Sequence, residues 1–371
     1  MVTFDINWRH IDMLRFFHSR WKRQAMVCLA IHSFFPFCSE IKGREVGVRE
    51  GFSENSKVLE ENRSFTYRLP FVETKRECLQ SIARAIQYIE NRQGWRLYPT
   101  EIKKVGIFLN DTRAPGLIVR LDVIEAVIKF LELRNYPKES IFLVANSPDF
   151  PVNYRSLKEK DFFSRYKFLN TQKNSYYNSL WYYESSMPPA PAERAQFYIQ
   201  NPYDYKARLA NERKSMLPAC LFEKEVHWIN LSVICYNPIL GIEGASSNLT
   251  LNACSNTGRF LTDPTMGHAA TAEILAIPEF WDKRLFNILD LSSFQVAGGP
   301  GFNAQFVYGE NALLIGENPV ALDYYGIDYL IDQRKELGLQ NKMSDELLLF
   351  KFAKELGLMN PENAVIEDIR N

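Results

Sequence analysis

"KVGIFLNDTRAPGLIVRLDVIEAVIKFLELRNYPKESIFLVANS", residues 104–147, decides the fold class of this chain. Two short apolar runs, 104–110 and 141–145, are rich in β-forming residues, which is typical of strands buried on both faces. Between them apolar residues recur at helical spacing, and Asp122 with Glu125 predicts a capping box at the start of that helix. Strand, helix and strand with a short return predict a right-handed βαβ unit and hence parallel pairing.

The alternation of strands and helices continues along the chain. Thr74 and Glu77 form a capping box before a helix, and Pro319 suits the first turn of another that closes near Gly338. Ser344 is expected to cap a last helix. Further buried strands are predicted at 226–231, 285–291 and 312–316. We therefore predict an α/β fold, a single domain over residues 66–371 with a mainly parallel sheet flanked by helices.

One segment departs from this alternation. Within residues 151–215, the part from Tyr176 to Tyr205 is dense in tyrosine, tryptophan, proline and asparagine, and includes "SSMPPAPAER" at 185–194. We interpret the segment as an aromatic and proline-rich insertion that lies over the sheet edge. It is either a lid over a site or a structured excursion without a function.

The N-terminal residues have the layout of a leader. Basic residues precede a mostly apolar run of fourteen residues, 25–38, which is too short for an ordinary membrane span. Residues 1–38 are therefore predicted to be a signal segment, and the polar residues 39–65 a linker. This predicts an exported or cell-envelope protein without a membrane span in the mature chain; the alternative is a cytoplasmic protein.

Composition excludes several classes of function. The 44 basic and 44 acidic residues balance, so the chain lacks the net positive charge typical of nucleic-acid binding. The six cysteines are scattered without metal-ligand spacing, and only two of the five histidines, His227 and His268, follow residue 40. We therefore predict no metal site, and the sequence identifies no cofactor.

"AGGPGFNA", residues 297–304, reads like a dinucleotide fingerprint. A dinucleotide cradle lies between a strand and the helix that the cradle opens. Here the predicted strand ends near Leu291, no helix follows Ala304, and Pro300 removes one backbone N–H group. We interpret the stretch as a sharp glycine turn, with a small-anion nest at Gly298 and Gly299 as the alternative.

"NDTRAPG", residues 110–116, is the stronger candidate site, because it follows the first parallel strand at the edge where open α/β sheets bind ligands. Arg113 is suited to bind a carboxylate or phosphate with its planar guanidinium, and Asp111 to orient that group or accept a proton. Asn146 and Ser147 end the neighbouring strand. The alternative is an ordinary polar turn.

A second polar stretch, "SSNLTLNACSNTGRFL" at 246–261, is suited to present hydroxyl and amide groups to a ligand, or is an ordinary loop. Its ligand-binding candidates are Asn248 and Arg259, together with the nearby His268. Asp290, near the end of the strand at 285–291, is expected to hold the fork of Arg113 at the same edge.

From about residue 104 to the end, the chain resembles the domain-of-unknown-function family 362. The resemblance rests on "VHWINLSVI", "LFNILDL", "GGP" at 298–300 and "LLIGENPVALDYYG" at 313–326. It implies that Asp290 and Asp323 match family aspartates, and that Gly298 and Gly299 belong to a family turn. Asn318 stands where the family usually has aspartate, and "ICYNP" replaces its Lys-x-His. The resemblance implies a fold and a sheet edge, and no reaction.

Residues 104–150 also resemble the N-terminal half of the lactate racemase family through "NDTRAP". That family uses a nickel pincer cofactor held by histidine and lysine, and no histidine lies near this loop in the sequence.

The sequence therefore predicts a protein that binds a small anionic molecule at the carboxyl edge of its sheet. If it is an enzyme, Asp111 or Asp323 is the acid–base candidate. The alternative is an exported binding protein without catalysis, and a racemase-like metalloenzyme is a remote third.

Overall fold

A computed structural model describes residues 63–70, 74–147, 163–173, 175–200, 202–340 and 347–369. They belong to one compact unit, Leu59–Asn371. The predicted leader at 1–38, most of the linker and the cap at Ser344 lie outside the described residues. Ser64 and Phe65, assigned to the end of the linker, already form part of the first strand.

The described residues form a large mixed sheet with the strand order β12–β1–β11–β9–β7–β2–β3–β4. These eight strands are β1 Ser64–Pro70, β2 Lys104–Leu109, β3 Ile141–Val144, β4 Lys167–Leu169, β7 Val226–Asn237, β9 Arg284–Gln295, β11 Ala312–Gly316 and β12 Ala364–Asp368. Two short strands, β8 Gly241–Glu243 and β10 Val307–Tyr308, pair with the ends of β7 and β9. A separate pair is formed by β5 Tyr177–Glu184 and β6 Lys214–Pro218.

The sheet is mostly parallel, as predicted. β4, β3, β2, β7 and β9 pair in parallel in that order. Only β11 runs against this direction among the eight strands, because it pairs antiparallel with both β9 and β1. The carboxyl ends of the parallel strands therefore meet at one edge, which we call the carboxyl edge, and β11 ends at the opposite edge, the amino edge.

Helices cover both faces of the sheet, which confirms the α/β fold. One face carries α1 Lys75–Gln93 and α2 Leu121–Leu133. The other face carries α5 Ala245–Leu249, α6 Pro264–Leu275, α7 Pro278–Trp281, α8 Pro319–Glu336 and α9 Leu348–Glu355. Each face has its own cluster of fully buried aliphatic and aromatic side chains, so the sheet is sandwiched between two cores.

Two of the predicted helix starts are confirmed and one is wrong. The Thr74 hydroxyl accepts a hydrogen bond from the Glu77 N–H group at the start of α1, and α8 begins with proline after an Asn318 cap. At α2, however, the N-cap is Arg120 without a side-chain cap, and Asp122 lies inside the first turn. The carboxylate of Asp122 accepts from the N–H group of the next residue instead.

The segment at 151–215 is only partly an insertion. Its described residues supply β4, which extends the main sheet beside β3. The rest forms the β5–β6 pair and two helices, α3 Pro191–Gln200 and α4 Tyr205–Glu212. Among the described residues, no helix has both the length and the apolar character needed to cross a membrane.

Candidate functional site

The structure brings the side chains that end β2 and β3 together. The Asp111 carboxylate accepts a hydrogen bond from the Ser147 N–H group. Asn146 donates its amide to the Asn252 carbonyl and accepts from the hydroxyl of Tyr176 at 2.7 Å. Burial raises the pKa of the Asp111 carboxyl, and the N–H groups of residues 147 and 146 offset part of that effect. Asp111, Asn146 and Ser147 are thus neighbours, as adjacent parallel strands require.

Asn248 belongs to a line of buried amides that crosses the sheet. It accepts from Asn110 at 3.2 Å and donates to Asn230 at 2.7 Å. Asn230 donates in turn to the carbonyl of Ala245 at 2.9 Å and to the side chain of Asn287 at 3.0 Å. These hydrogen bonds connect α5 to the strands beneath it. The amide of Asn248 therefore stabilises the packing of α5 on the sheet.

Arg113 has a carboxylate partner that the sequence did not reveal. Its guanidinium donates to Glu243 at 2.8 Å, and both side chains are buried, with 4% and 7% exposed. Asn237 donates to the other oxygen of the same carboxylate. Because Glu243 neutralises Arg113, this pair offers an anion no net positive charge. Glu243 lies in the short hairpin strand β8, 130 residues away in sequence.

The carboxylate of Asp290 contacts Arg120, whereas the sequence predicted that it contacts Arg113. The Asp290 carboxylate accepts from the Arg120 N–H group at 2.9 Å and lies 3.5 Å from the Nε of the same residue. The second oxygen accepts from Ser292 at 3.0 Å. Side chains alternate between the faces of a strand, and that of Asp290 meets the start of α2. The expected role of Asp290 in holding the fork of Arg113 is not supported.

Asp323 lies on α8 and is fully buried. It accepts from the N–H groups of Ala245 and Ser246 at 2.6 and 2.9 Å, which satisfies backbone donors at the start of α5. A Cβ atom on Gly244 would overlap the carboxylate, so glycine is required for this close approach. Burial raises the pKa of Asp323 to about 6. The geometry is that of a helix-capping carboxylate.

His268 and the glycine turn also have structural surroundings. His268 is 3% exposed on α6, and burial lowers the pKa of its imidazole to about 4. Gly298 adopts a left-handed φ of 77°, and a Cβ atom on Gly299 would lie 2.7 Å from the Tyr236 carbonyl oxygen. A single 3₁₀ turn, Ala304–Phe306, follows and leads into β10. The strand–turn–helix arrangement of a dinucleotide cradle is therefore not formed at 297–308.

Arg259, in contrast, lines an open cavity of about 660 Å³. The cavity lies between the 3₁₀ turn Thr257–Leu261 and the segment that carries α3. Most of its lining is apolar, and includes Met187, Pro188, Pro189, Pro191 and Ile199. A second guanidinium, Arg194 of α3, reaches the same cavity. Arg259 was a candidate from the sequence and Arg194 was not, although "PAER" at 191–194 places Arg194 in the segment interpreted as a lid.

Neither guanidinium of this cavity forms an ion pair within the described part of the chain. Arg259 donates to two backbone carbonyls, those of Met187 at 3.1 Å and Glu212 at 2.5 Å. The Nε atoms of Arg259 and Arg194 are buried without an acceptor among the described residues. The nearby Glu193 carboxylate accepts from the N–H groups of Ala190 and Gly258. Burial lowers the pKa of Arg259, as expected for a cation without a counter-ion in contact.

No family model and no curated protein matches the chain. A crystal structure of a protein from Thermotoga maritima is similar over 73% of this chain and 60% of that chain, with 12% sequence identity and a TM-score of 0.34. The chain thus spans about 60% of the length of that protein. At this TM-score the similarity supports no inference about function.

Proposed function

We propose that this protein binds a small organic anion with an apolar body in the cavity lined by Arg194 and Arg259. The proposal depends mainly on Arg259, a buried cation at the wall of the cavity. Arg259 is 1% exposed and lines an open cavity. Its guanidinium donates to two backbone carbonyls and forms no ion pair among the described residues. The carboxylates of Glu193 and Glu212 act on this cation from beyond ion-pair distance. A buried cation without a carboxylate in contact is costly, and a bound anion supplies a direct counter-charge.

The second guanidinium strengthens this charge argument. Arg194 projects from α3 into the same cavity, and no ion pair of Arg194 exists within the described residues. The neighbouring carboxylate of Glu212 lies 3.8 Å from Arg208, and that of Glu193 is engaged by backbone donors. Two arginines therefore face one cavity, and planar guanidinium groups suit the two oxygens of a carboxylate.

The apolar lining defines the rest of the ligand. Proline, methionine and isoleucine side chains make up much of the wall, and Tyr198 adds an aromatic ring. An inorganic anion uses none of this surface, whereas a carboxylate with an aromatic or aliphatic body buries it. Both walls belong to connections that leave the carboxyl ends of β4 and β7. We therefore propose that α3 and the described residues next to it form the lid over this cavity.

Binding is better supported than catalysis. The residues that line the cavity include no carboxylate, imidazole or thiol. Asp323 satisfies backbone donors of α5. An acid–base reaction by Asp111 at the carboxyl edge is a second candidate function. Burial raises the pKa of the Asp111 carboxyl, which lies beside the hydrogen-bonded pair of Asn146 and Tyr176.

Calorimetric titration with 2-naphthoate tests the proposal. Its neutral analogue 2-naphthalenemethanol reports the apolar contribution alone, and inorganic phosphate reports the charge alone. We expect 2-naphthoate to bind, and Arg194→Gln to weaken it by roughly tenfold or more, since a charge-assisted hydrogen bond is lost. Arg76→Gln, an exposed arginine on α1, removes the same charge elsewhere and is expected to leave binding unchanged.

Equal affinity for 2-naphthoate and its neutral analogue would contradict the proposal, as would unchanged affinity in Arg194→Gln. Loss of binding in Asp111→Asn, with Arg194→Gln unaffected, would favour the second candidate function at the carboxyl edge.

A further inference from the structure

A second cavity, of about 400 Å³, opens at the amino edge of the sheet, away from the candidate residues of the sequence analysis. His227 is the second residue of β7, Arg284 is the first of β9, and Glu317 directly follows β11. β11 runs against its neighbours, so its end lies beside the starts of β7 and β9. The topology thus brings three titratable side chains to one place.

Among the described residues that line this cavity, Arg284 is the arginine, and it has unused hydrogen-bonding capacity. Arg284 stacks on the Trp281 ring at 3.8 Å and donates to the Trp281 carbonyl at 2.6 Å. Its Nε atom is buried and has no acceptor among the residues that the structure describes. No ion pair joins Arg284 to a carboxylate within the described residues, although Glu317 and Asp282 line the same cavity. Stacking on tryptophan holds the guanidinium plane in place for a bidentate partner.

The carboxylate of Glu317 is similarly available. The side chain is partly buried, and within the described chain it has neither an ion pair nor a hydrogen bond. Burial raises the pKa of Glu317, and the charges of Arg284 and Arg92 act against that effect. The Nδ1 atom of His227 is also buried and has no hydrogen-bond partner in the described ranges, and burial together with Lys283 lowers the pKa of this imidazole. The cavity therefore offers a cation, an anion and a neutral imidazole.

The charges decide the class of ligand. Glu101, Asp282 and Glu317 give three carboxylates against one guanidinium, which disfavours a simple anion. A simple cation leaves Arg284 without its counter-ion. In the described part of the chain no group of three or more His, Cys, Asp or Glu side chains is placed to hold a metal ion. A zwitterion pairs both signs of charge at once.

We propose that the amino-edge cavity binds a small zwitterion, a free α-amino acid, with its carboxylate on Arg284 and its ammonium on Glu317 and Asp282. The carboxylate accepts from guanidinium N–H groups of Arg284 that the Trp281 carbonyl does not use, in the paired geometry that guanidinium groups favour. The cavity volume lies near the lower end of the range of about 300–1,000 Å³ for ligand sites, which suits a small molecule. The site is separate from the cavity of Arg194 and Arg259.

Isothermal titration of the full chain with each standard L-amino acid tests this inference. For any that binds, the amide lacks the carboxylate and the N-acetyl derivative lacks the ammonium group. We expect neither derivative to bind. We expect Glu317→Gln to weaken binding by roughly tenfold or more. Glu310→Gln, an exposed carboxylate just before the other end of β11, is the matched control and is expected to bind normally.

Arg284→Lys provides a second variant that keeps the charge and removes the fork, and it is expected to lose affinity for the amino acid. Circular dichroism of each variant separates lost binding from lost folding. The inference is overturned if no amino acid binds at millimolar concentration, or if the amide or the N-acetyl derivative binds as well as the parent. It is also overturned if a folded Glu317→Gln variant binds normally. The affinity of the same variants for 2-naphthoate is expected to equal that of the native chain.

Discussion

Replacing Glu243 by glutamine removes the buried partner of Arg113 while conserving the shape of the side chain. The two charges lie 2.8 Å apart and their side chains are 4% and 7% exposed. At an effective dielectric constant of about 20, charges at that distance attract by roughly 6 kcal/mol, which the cost of burying both charges largely offsets. Removing one partner leaves the other charge buried alone. We therefore expect Glu243→Gln to lower the free energy of unfolding by about 3–5 kcal/mol.

Removing both charges of this pair is expected to lower the free energy of unfolding by less than removing one of them. In the double variant Arg113→Met with Glu243→Leu, no buried charge is left unpaired, so its free energy of unfolding should exceed that of Glu243→Gln. Glu310→Gln is the control, because its pair with Arg68 is 3.7 Å long and exposed. We expect that change to cost about 0–1 kcal/mol.

Urea unfolding followed by tryptophan fluorescence measures these differences at constant m-value. The reasoning is refuted if Glu243→Gln costs no more than the Glu310→Gln control. If Arg113 instead bound a ligand, Arg113→Lys would leave the free energy of unfolding unchanged and abolish the stabilisation that the ligand provides. The structure predicts that Arg113→Lys loses stability because lysine cannot reproduce the guanidinium contact.

Burial lowers the pKa of His268 to about 4, below its ordinary value of 6.5, so the unfolded chain binds a proton first. The contribution of His268 to the free energy of unfolding should therefore fall by about 3 kcal/mol as the pH drops from 7 to 4. The raised pKa of Asp323 acts with the opposite sign over the same range, so the His268 contribution is measured as the difference between the native chain and His268→Gln, which should shrink by that amount. Titration with NAD, NADP and FAD should show no saturable binding below millimolar concentration; micromolar affinity for any of them would restore the dinucleotide interpretation of 297–304. N-terminal sequencing of the protein from its native host should begin near residue 39, and an intact Met1 would count against export.

The fold was predictable because its signals are local. Continuous apolar runs identified β2, β3, β7, β9 and β11, and the cap at Thr74 and the proline at 319 marked two helix starts. β4 has only three residues, Lys167–Leu169, too few for periodicity to reveal. The start of α2 was misplaced because the pattern of a capping box at Asp122 does not show whether the preceding residue is already helical.

The site was less predictable because its contacts are remote in sequence. Adjacent parallel strands bring Asp111 to Ser147, and their order along the chain was enough to predict that. The pairing of Arg113 with Glu243 depends on a three-residue hairpin strand, and that of Asp290 with Arg120 depends on which face each side chain meets. The cavity at Arg259 depends on the path of the segment that carries α3. The amino-edge cavity depends on the reversed direction of β11.

A crystal structure with bound 6-bromo-2-naphthoate tests the central claim most directly, because anomalous scattering from bromine locates the ligand independently of its shape. The proposed function predicts bromine among the proline and isoleucine side chains of the cavity. The carboxylate should lie about 2.7–2.9 Å from guanidinium nitrogens of Arg194 and Arg259. Bromine at the carboxyl edge beside Arg113, or an empty cavity at a concentration that saturates the protein in solution, would contradict it.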